Sequence, residues 1–367
     1  MTDTSTASAK PHYPILDGLR GTAALLVVAF HLMESVAPDQ SANLMRHGYL
    51  AVDFFFALSG YVIGYAYDDR WRGMSVLSFV KTRLIRLHPV VVIGPLLGLA
   101  AYFLDPFTAT PHTPTVVAAV VALVAGVLLI PSWTLPDRGT DYFPYNGVFW
   151  TLFFEYVANL VYVFVLRSLS RKWLALLTLV AAIVLVWRAA VHNTIHLGYD
   201  WHTLEMAPVR LAYPFLAGLL LQRTVKASPV RLGWLPLSVV MVFLFAAPWI
   251  WLKGFGGWPL NGLYDAAVVV IAFPLIICAG AHAVPSRAWA NLCTQLGRLS
   301  YPLYGTHYAL IYVYADWIQA TKPAMPSIIE VGAATWILAI AMAWGVVFVW
   351  DEPIRRWLSG KGKPAKV

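Results

Sequence analysis

Charge is scarce in this chain. Asp, Glu, Lys and Arg together make up 12% of 367 residues, while 59% are hydrophobic, and a soluble domain usually carries about 25% charged residues. That deficit excludes an ordinary water-soluble globule and makes lipid the main solvent. Cysteine is nearly absent. Cys278 in an apolar run and Cys293 beyond it offer neither metal-ligand spacing nor a disulfide framework, so both read as small packing residues. No fixed-period repeat, low-complexity tract or separate soluble domain is found. The first residues, MTDTSTASAKPH, are polar, and no A-x-A-like site follows the apolar stretch from Ile15, so the first span is expected to be retained rather than cleaved. The net charge of +8 sits in basic loops and points to orientation and anionic lipid, not to nucleic acid.

What is present is a series of apolar segments. A helix needs roughly 20 apolar residues to cross the hydrocarbon, and candidates lie at 15–36, 47–67, 90–104, 115–131, 147–167, 173–191, 207–222, 235–252, 264–283, 300–319 and 328–350. Lys and Arg cluster at 70–86, 167–172, 223–231, 287–298 and 355–366, which the positive-inside rule assigns to the cytoplasm. With the 68–88 and 167–172 loops both inside, the chain between them crosses twice, yet three candidates lie there. One of 90–104 and 115–131 is therefore expected not to cross fully. The expected fold is all-α, with about ten transmembrane helices around a central polar cavity in the cytoplasmic (inner) membrane and both termini cytoplasmic. Residues 1–14 form an N-terminal tail, 15–354 one transmembrane domain and 355–367 a basic tail.

The first span carries an unusual stripe. Arg20 and His31 are eleven positions apart with no ionisable residue between them, and three helical turns take 10.8 residues, so they share a face about 16 Å apart along the axis. Asp17 and Glu34, each three residues outside the pair, fall in the same sector. Arg20 alone could snorkel beside Asp17; an imidazole deep in a span is costly and usually faces a functional cavity.

LDGLRGTAALLVVAFH resembles the R-x10-H hallmark of the membrane acyltransferase 3 family, whose members move acyl groups from coenzyme A thioesters onto hydroxyls of glycans and other acceptors. Further resemblances follow in the family's order: AVDFFFALSGYVIG, through Phe55, Phe56, Ser59 and Gly60 with Asp53 upstream; KTRLIRLHP, through Arg83 and Arg86; FWTLFFEYVANLVY, through Trp150, Leu152 and Glu155; and LSYPLYGTHYAL with VWDEPIRRW, through Tyr304, His307, Glu352 and Pro353. The chain departs from the pattern at His88, Thr151 and Gly305, and a fused hydrolase-like domain such as some relatives carry is not expected.

The resemblance implies a membrane O-acyltransferase that takes an acyl group, acetyl foremost, from cytoplasmic acyl-CoA as co-substrate and binds no permanent cofactor or metal. Its partners are a glycan or small-molecule hydroxyl acceptor and the membrane lipids, and its oligomeric state is left open. His31 is the expected base, since a neutral imidazole is available near neutral pH, with Glu155 at comparable depth expected to orient it and Glu34, one turn from His31 but nearer the aqueous edge, competing for that role. Arg83 and Arg86, three apart on one face of a cytoplasmic helix, suit bidentate phosphate contact or plain positive-inside anchoring, Arg20 the pantetheine carbonyls or pyrophosphate, and Ser59 and Gly60 either close approach of the donor or plain helix packing. Asp17, Glu34, Asp53, Trp150, Tyr304 and His307 are further cavity candidates. His192, His196 and His202 share a loop and read as acceptor recognition or plain solvation, with zinc binding a remoter use. Two rival classes remain: a proton-coupled transporter or flippase using Arg20, His31 and Glu155 as a relay, and a membrane scaffold.

Overall fold

A computed structural model describes residues 12–360 except 38, 40, 72, 109–113, 133–134, 136–137, 140 and 251–258. The outer parts of both expected tails, 1–11 and 361–367, lie outside the described residues. No strand occurs among those described, only an isolated bridge between Asp141 and Asp200.

The helices are α1 (Pro14–Glu34), α2 (Ala51–Tyr67), α3 (Val76–Leu104), α4 (Val116–Val127), α5 (Phe149–Phe164), α6 (Arg171–His192) and α7 (Met206–Thr224). After them come α8 (Trp234–Phe245), α9 (Leu260–Ala267), α10 (Phe273–Ala281), α11 (Arg287–Thr306), α12 (Tyr308–Thr321), α13 (Met325–Val346) and α14 (Glu352–Leu358). Wider π turns join α9 to α10 and α13 to α14. Ser75, Thr115 and Ser170 start α3, α4 and α6 by accepting from backbone N–H groups three residues on, the usual remedy for unpaired donors at a helix start.

Among the described residues, six helical segments are long and apolar enough to cross a membrane, at Pro14–Glu34, Gly48–Tyr67, Val76–Leu104, Arg171–His192, Leu260–Ala281 and Met325–Leu358. The protein is a multi-pass membrane protein. In α1 and α2, 67% of the apolar stretch is buried, against 22% in α6, so α1 and α2 are central and α6 presents large apolar side chains such as Trp173, Ile183 and Trp187 outward.

Two segments differ from their expected form, and a third, 115–131, is short in the way expected of one member of the 90–104 and 115–131 pair. Lys81, Arg83 and Arg86 are not in a loop: α3 runs unbroken through them and through the 90–104 candidate, passing Pro89 and Pro95. The 115–131 candidate holds only 12 helical residues, about 18 Å at 1.5 Å per residue, too short for a hydrocarbon core of about 30 Å. The 300–319 candidate is divided at His307 between α11 and α12. There the imidazole Nδ1 lies 3.0 and 2.9 Å from the Leu303 and Tyr304 carbonyls, capping the end of α11 from within the chain.

The helix pairs α1–α11 and α2–α7 set the frame of the site. A Cβ on Gly21 would stand 2.5 Å from Leu296 Cβ, and one on Gly60 would stand 2.0 Å from the Phe215 carbonyl oxygen. Both backbones therefore meet at distances only glycine permits.

Candidate active site

Near the N-terminal end of α1 the chain encloses a cavity of about 390 Å³ whose walls include Arg20, Ser59, Arg83, Arg86, Glu155 and Tyr304. Arg20 is held rigidly in that wall. Its Nε donates to Ser300 Oγ at 3.0 Å, and its Nη2 donates to Asp17 Oδ1 at 2.7 Å and to the Gly297 carbonyl at 3.3 Å. Asp17 also lies 2.6 Å from His12 Nε2. The α11 backbone approaches closely enough to do this because residue 297 is glycine: a Cβ there would stand 2.6 Å from Asp17 Cβ.

Across the cavity, Arg83 Nη2 donates to Glu155 Oε1 at 3.0 Å and Ser59 Oγ donates to the same oxygen at 3.4 Å. The Arg83 Nε is buried without a partner among the described residues. Arg86 lines the same cavity and has no hydrogen bond or ion pair among the described residues. Among the described residues its guanidinium is without an ion-pair partner, whereas Arg83 is paired with the Glu155 carboxylate. The π turn before α14 brings Asp351 into the wall, where it accepts from Arg355 Nη1 at 2.9 Å.

His31 lies at the other end of α1 and is not part of that cavity's wall. Its Nδ1 is 2.9 Å from Glu34 Oε2. A carboxylate only accepts, so Nδ1 carries a hydrogen, and in the neutral ring Nε2 keeps its lone pair. Tyr308 meets the ring edge-on at 5.0 Å, and the His307 ring lies near-parallel at 5.6 Å. The second oxygen of Glu34 is 3.6 Å from His196 Nε2, and His196 itself stacks on Tyr49 at 4.6 Å. Burial pushes the His196 imidazole down to about 4, against the opposing pull of Glu34. In the neighbouring 128–148 segment, burial pushes the Asp141 carboxyl up to about 7, with Asp200 adding like-charge repulsion. Between the two ends stand Phe55, Thr151 and Tyr304. Thr151 Oγ1 and Tyr304 Oη are hydrogen-bonded at 2.8 Å, and the Tyr304 ring neighbours both Phe55 and His307.

Residues 13–350 match the family model described as an acyltransferase domain. The chain belongs to the acyltransferase 3 family. It is 34% identical over 187 residues to "Protein 2 in picA locus" of Rhizobium radiobacter, covering 48% of this chain and 94% of that protein. It is also 25% identical over 352 residues to the O-acetyltransferase OatA of Staphylococcus aureus and 23% identical over 369 residues to the peptidoglycan O-acetyltransferase OatA of Listeria monocytogenes. Those alignments cover 88% and 91% of this chain but 54% and 55% of the OatA proteins, so the chain spans about half their length. No solved structure matches it.

For a member of the acyltransferase 3 family, the structure redistributes several expected roles. Glu155 does not meet His31. It faces the cavity one turn from Thr151 on α5, where the Arg83 guanidinium captures it, because an opposite charge in poorly solvated surroundings is the strongest partner available. Glu34, the competing candidate, is the carboxylate that lies beside His31. Arg83 and Arg86 are accordingly not an equivalent pair. Gly60 is consumed by the α2–α7 contact rather than by close approach of a donor.

Asp53 is not a cavity residue either. Its carboxylate is fully buried against Arg210, with Nη2 at 2.6 Å and Nε at 3.3 Å. Arg210 also reaches the Leu197 and Tyr49 carbonyls at 3.1 and 3.0 Å, and stands 5.1 Å from the centre of the Trp150 ring. Asp53, Arg210 and Trp150 thus brace the loop that carries His196. Asp17, Ser59 and Tyr304 do line the cavity, and His307 is completely buried behind it.

Sequence reasoning passed over Arg210, Tyr308 and Asp141. Arg210 carried a usable signal, since an arginine inside the apolar 207–222 segment demands a buried carboxylate. His192 and His202 are exposed, and among the described residues no three His, Cys, Asp or Glu side chains converge as metal ligands.

Proposed function

We propose that this chain is a membrane O-acyltransferase that takes an acetyl group from acetyl-CoA and passes it to a hydroxyl of a glycan. The arrangement that carries this reading is the alignment on α1 of an anion-ready cavity, with Arg86 uncompensated, and a carboxylate-oriented imidazole about 16 Å further along the axis. Clustered Lys and Arg at the Arg20 end support a cytoplasmic cavity, with both termini inside and the membrane being the inner one. Arg86, aided by Arg20, binds the phosphates of the donor. The Arg83–Glu155 pair shapes the wall along which the pantetheine arm extends past Thr151 and Tyr304 towards His31. No other co-substrate or cofactor is invoked.

The chemistry balances on His31. The acceptor oxygen attacks the thioester carbonyl carbon as His31 Nε2 removes its proton, and Glu34 stabilises the imidazolium through Nδ1–H. Collapse of the tetrahedral intermediate breaks the C–S bond, and the departing thiolate takes the proton back from Nε2. The products are an ester and free coenzyme A. Names of the relatives, O-acetyltransferase and peptidoglycan O-acetyltransferase, support acetyl as the group and a cell-wall glycan as the acceptor class.

Thiol release from acetyl-CoA by the detergent-purified protein, with and without a soluble N-acetylglucosamine oligosaccharide, tests the reading. Acceptor-dependent release that disappears in His31→Ala is expected. PH-gradient-driven uptake into liposomes without any thiol release would replace it with the transporter reading.

A further inference from the structure

His307 is buried completely, yet only half of its imidazole is used. Nδ1 is bonded to the Leu303 and Tyr304 carbonyls, which accept only, so Nδ1 carries the hydrogen. Nε2 is therefore a bare lone pair, and it has no partner among the described residues. A buried acceptor left unmet is costly unless something completes it. A histidine placed only to cap α11 would need Nδ1 alone, and an asparagine could supply that N–H.

The unmet atom sits beside the proposed reaction centre. The His307 ring is near-parallel to the His31 ring at 5.6 Å, and Tyr308 packs edge-on against both imidazoles. Glu34 fixes the His31 tautomer with Nε2 open, and two carbonyls fix the His307 tautomer with Nε2 open. In their neutral forms the two near-parallel rings, 5.6 Å apart, each offer Nε2 as an acceptor, and neither has a hydrogen to give from that atom. A substrate that satisfies both must present two adjacent donors, whereas a simple alcohol presents one.

We propose that His307 Nε2 accepts a hydrogen bond from a second hydroxyl or amide N–H of the acceptor, adjacent to the hydroxyl deprotonated by His31, and so selects polyol or amino-sugar acceptors over mono-alcohols. The inference rests on the acyltransferase reading above. No proton is transferred to His307: the bond positions the acceptor, and the covalent step remains that of His31. A site built to bond a substrate hydroxyl discriminates strongly against an analogue lacking it, because its own polar group is then left unpaired.

The test compares His307→Asn, which retains an N–H for the helix carbonyls but lacks the Nε2 acceptor, with His307→Gln, which can place an oxygen near Nε2. Acetyl-CoA is the donor, and a soluble N-acetylglucosamine trimer and 1-butanol are the acceptors. His307→Asn is expected to raise KM for the trimer by about tenfold or more, to leave KM for acetyl-CoA within about twofold, and to erase the preference for trimer over butanol, with partial recovery in His307→Gln. Unchanged trimer kinetics and preference in His307→Asn overturn the proposal. A second measurement is independent of turnover: in ¹⁵N-histidine-labelled protein without acetyl-CoA, the His307 Nε2 resonance, assigned by its absence in His307→Asn, should shift on adding the trimer. A resonance that does not move overturns the proposal even if acetyl transfer proceeds. A shift without any acetyl transfer supports the binding role and instead removes the acyltransferase reading.

Discussion

At the scale of single residues, the site divides its carboxylates between two tasks. Glu34 serves the imidazole and Glu155 serves the guanidinium, and kinetics should separate them. Glu34→Gln leaves His31 without a negative partner for its imidazolium, so kcat should fall by about 10²–10⁴ while KM for acetyl-CoA holds. Glu155→Gln should act on the donor side, raising KM for acetyl-CoA several-fold, because Arg83 is released from its fixed position. Initial rates of thiol release across donor concentrations decide between these patterns, and an identical kcat loss in both variants would contradict the division.

A second residue-scale prediction concerns Asp141, whose carboxyl is pushed up to about 7 by burial and by Asp200. Between its ordinary value near 4 and about 7, the folded chain holds a proton that the unfolded chain has released. Its contribution to stability is therefore greatest at low pH and declines as pH rises through that window. His196, pushed down to about 4, contributes with the opposite sign, so a comparison within one pair of proteins is needed. The thermal midpoint of Asp141→Asn in detergent should gain on that of the wild type from pH 4 to 7 and then level off.

At the scale of elements, the close helix pairs are the rigid part. Gly60 and Gly218 bring the backbones of α2 and α7 together: a Cβ on Gly218 would stand 2.0 Å from the Ala57 carbonyl oxygen. Gly60→Ala should force these helices apart at a cost of about 1–3 kcal/mol, seen as a lower thermal midpoint. Ser59 rides on α2, so its distance to Glu155 would change as well. Gly345, with open space around it, offers the control: Gly345→Ala should leave the midpoint unchanged or slightly raised, since alanine is the better helix former.

At the scale of the whole molecule, the cavity and the His31 cluster sit at opposite ends of one buried helix, and the proposed orientation makes the ends face different compartments. Cysteines introduced by Ser359→Cys, beyond α14, and by His202→Cys, in the exposed part of the His196 loop, should react with a membrane-impermeant maleimide from the inner and outer sides respectively. Labelling of both from one side would sink the orientation.

The sequence by itself determined the solvent, the helical class, the family and the α1 stripe. Each follows from composition or from the fixed 100° step of a helix, which needs no knowledge of neighbours. Tertiary structure alone decided which carboxylate meets which cation. Glu155 and Glu34 were both legible as candidate partners of His31, but only the packing of α3 and α5 delivers Arg83 to Glu155, and only the crossing of α7 with α2 delivers Arg210 to Asp53. Ion pairing depends on distances between segments far apart in the chain, and helical periodicity gives the face on which a residue lies without naming what stands opposite.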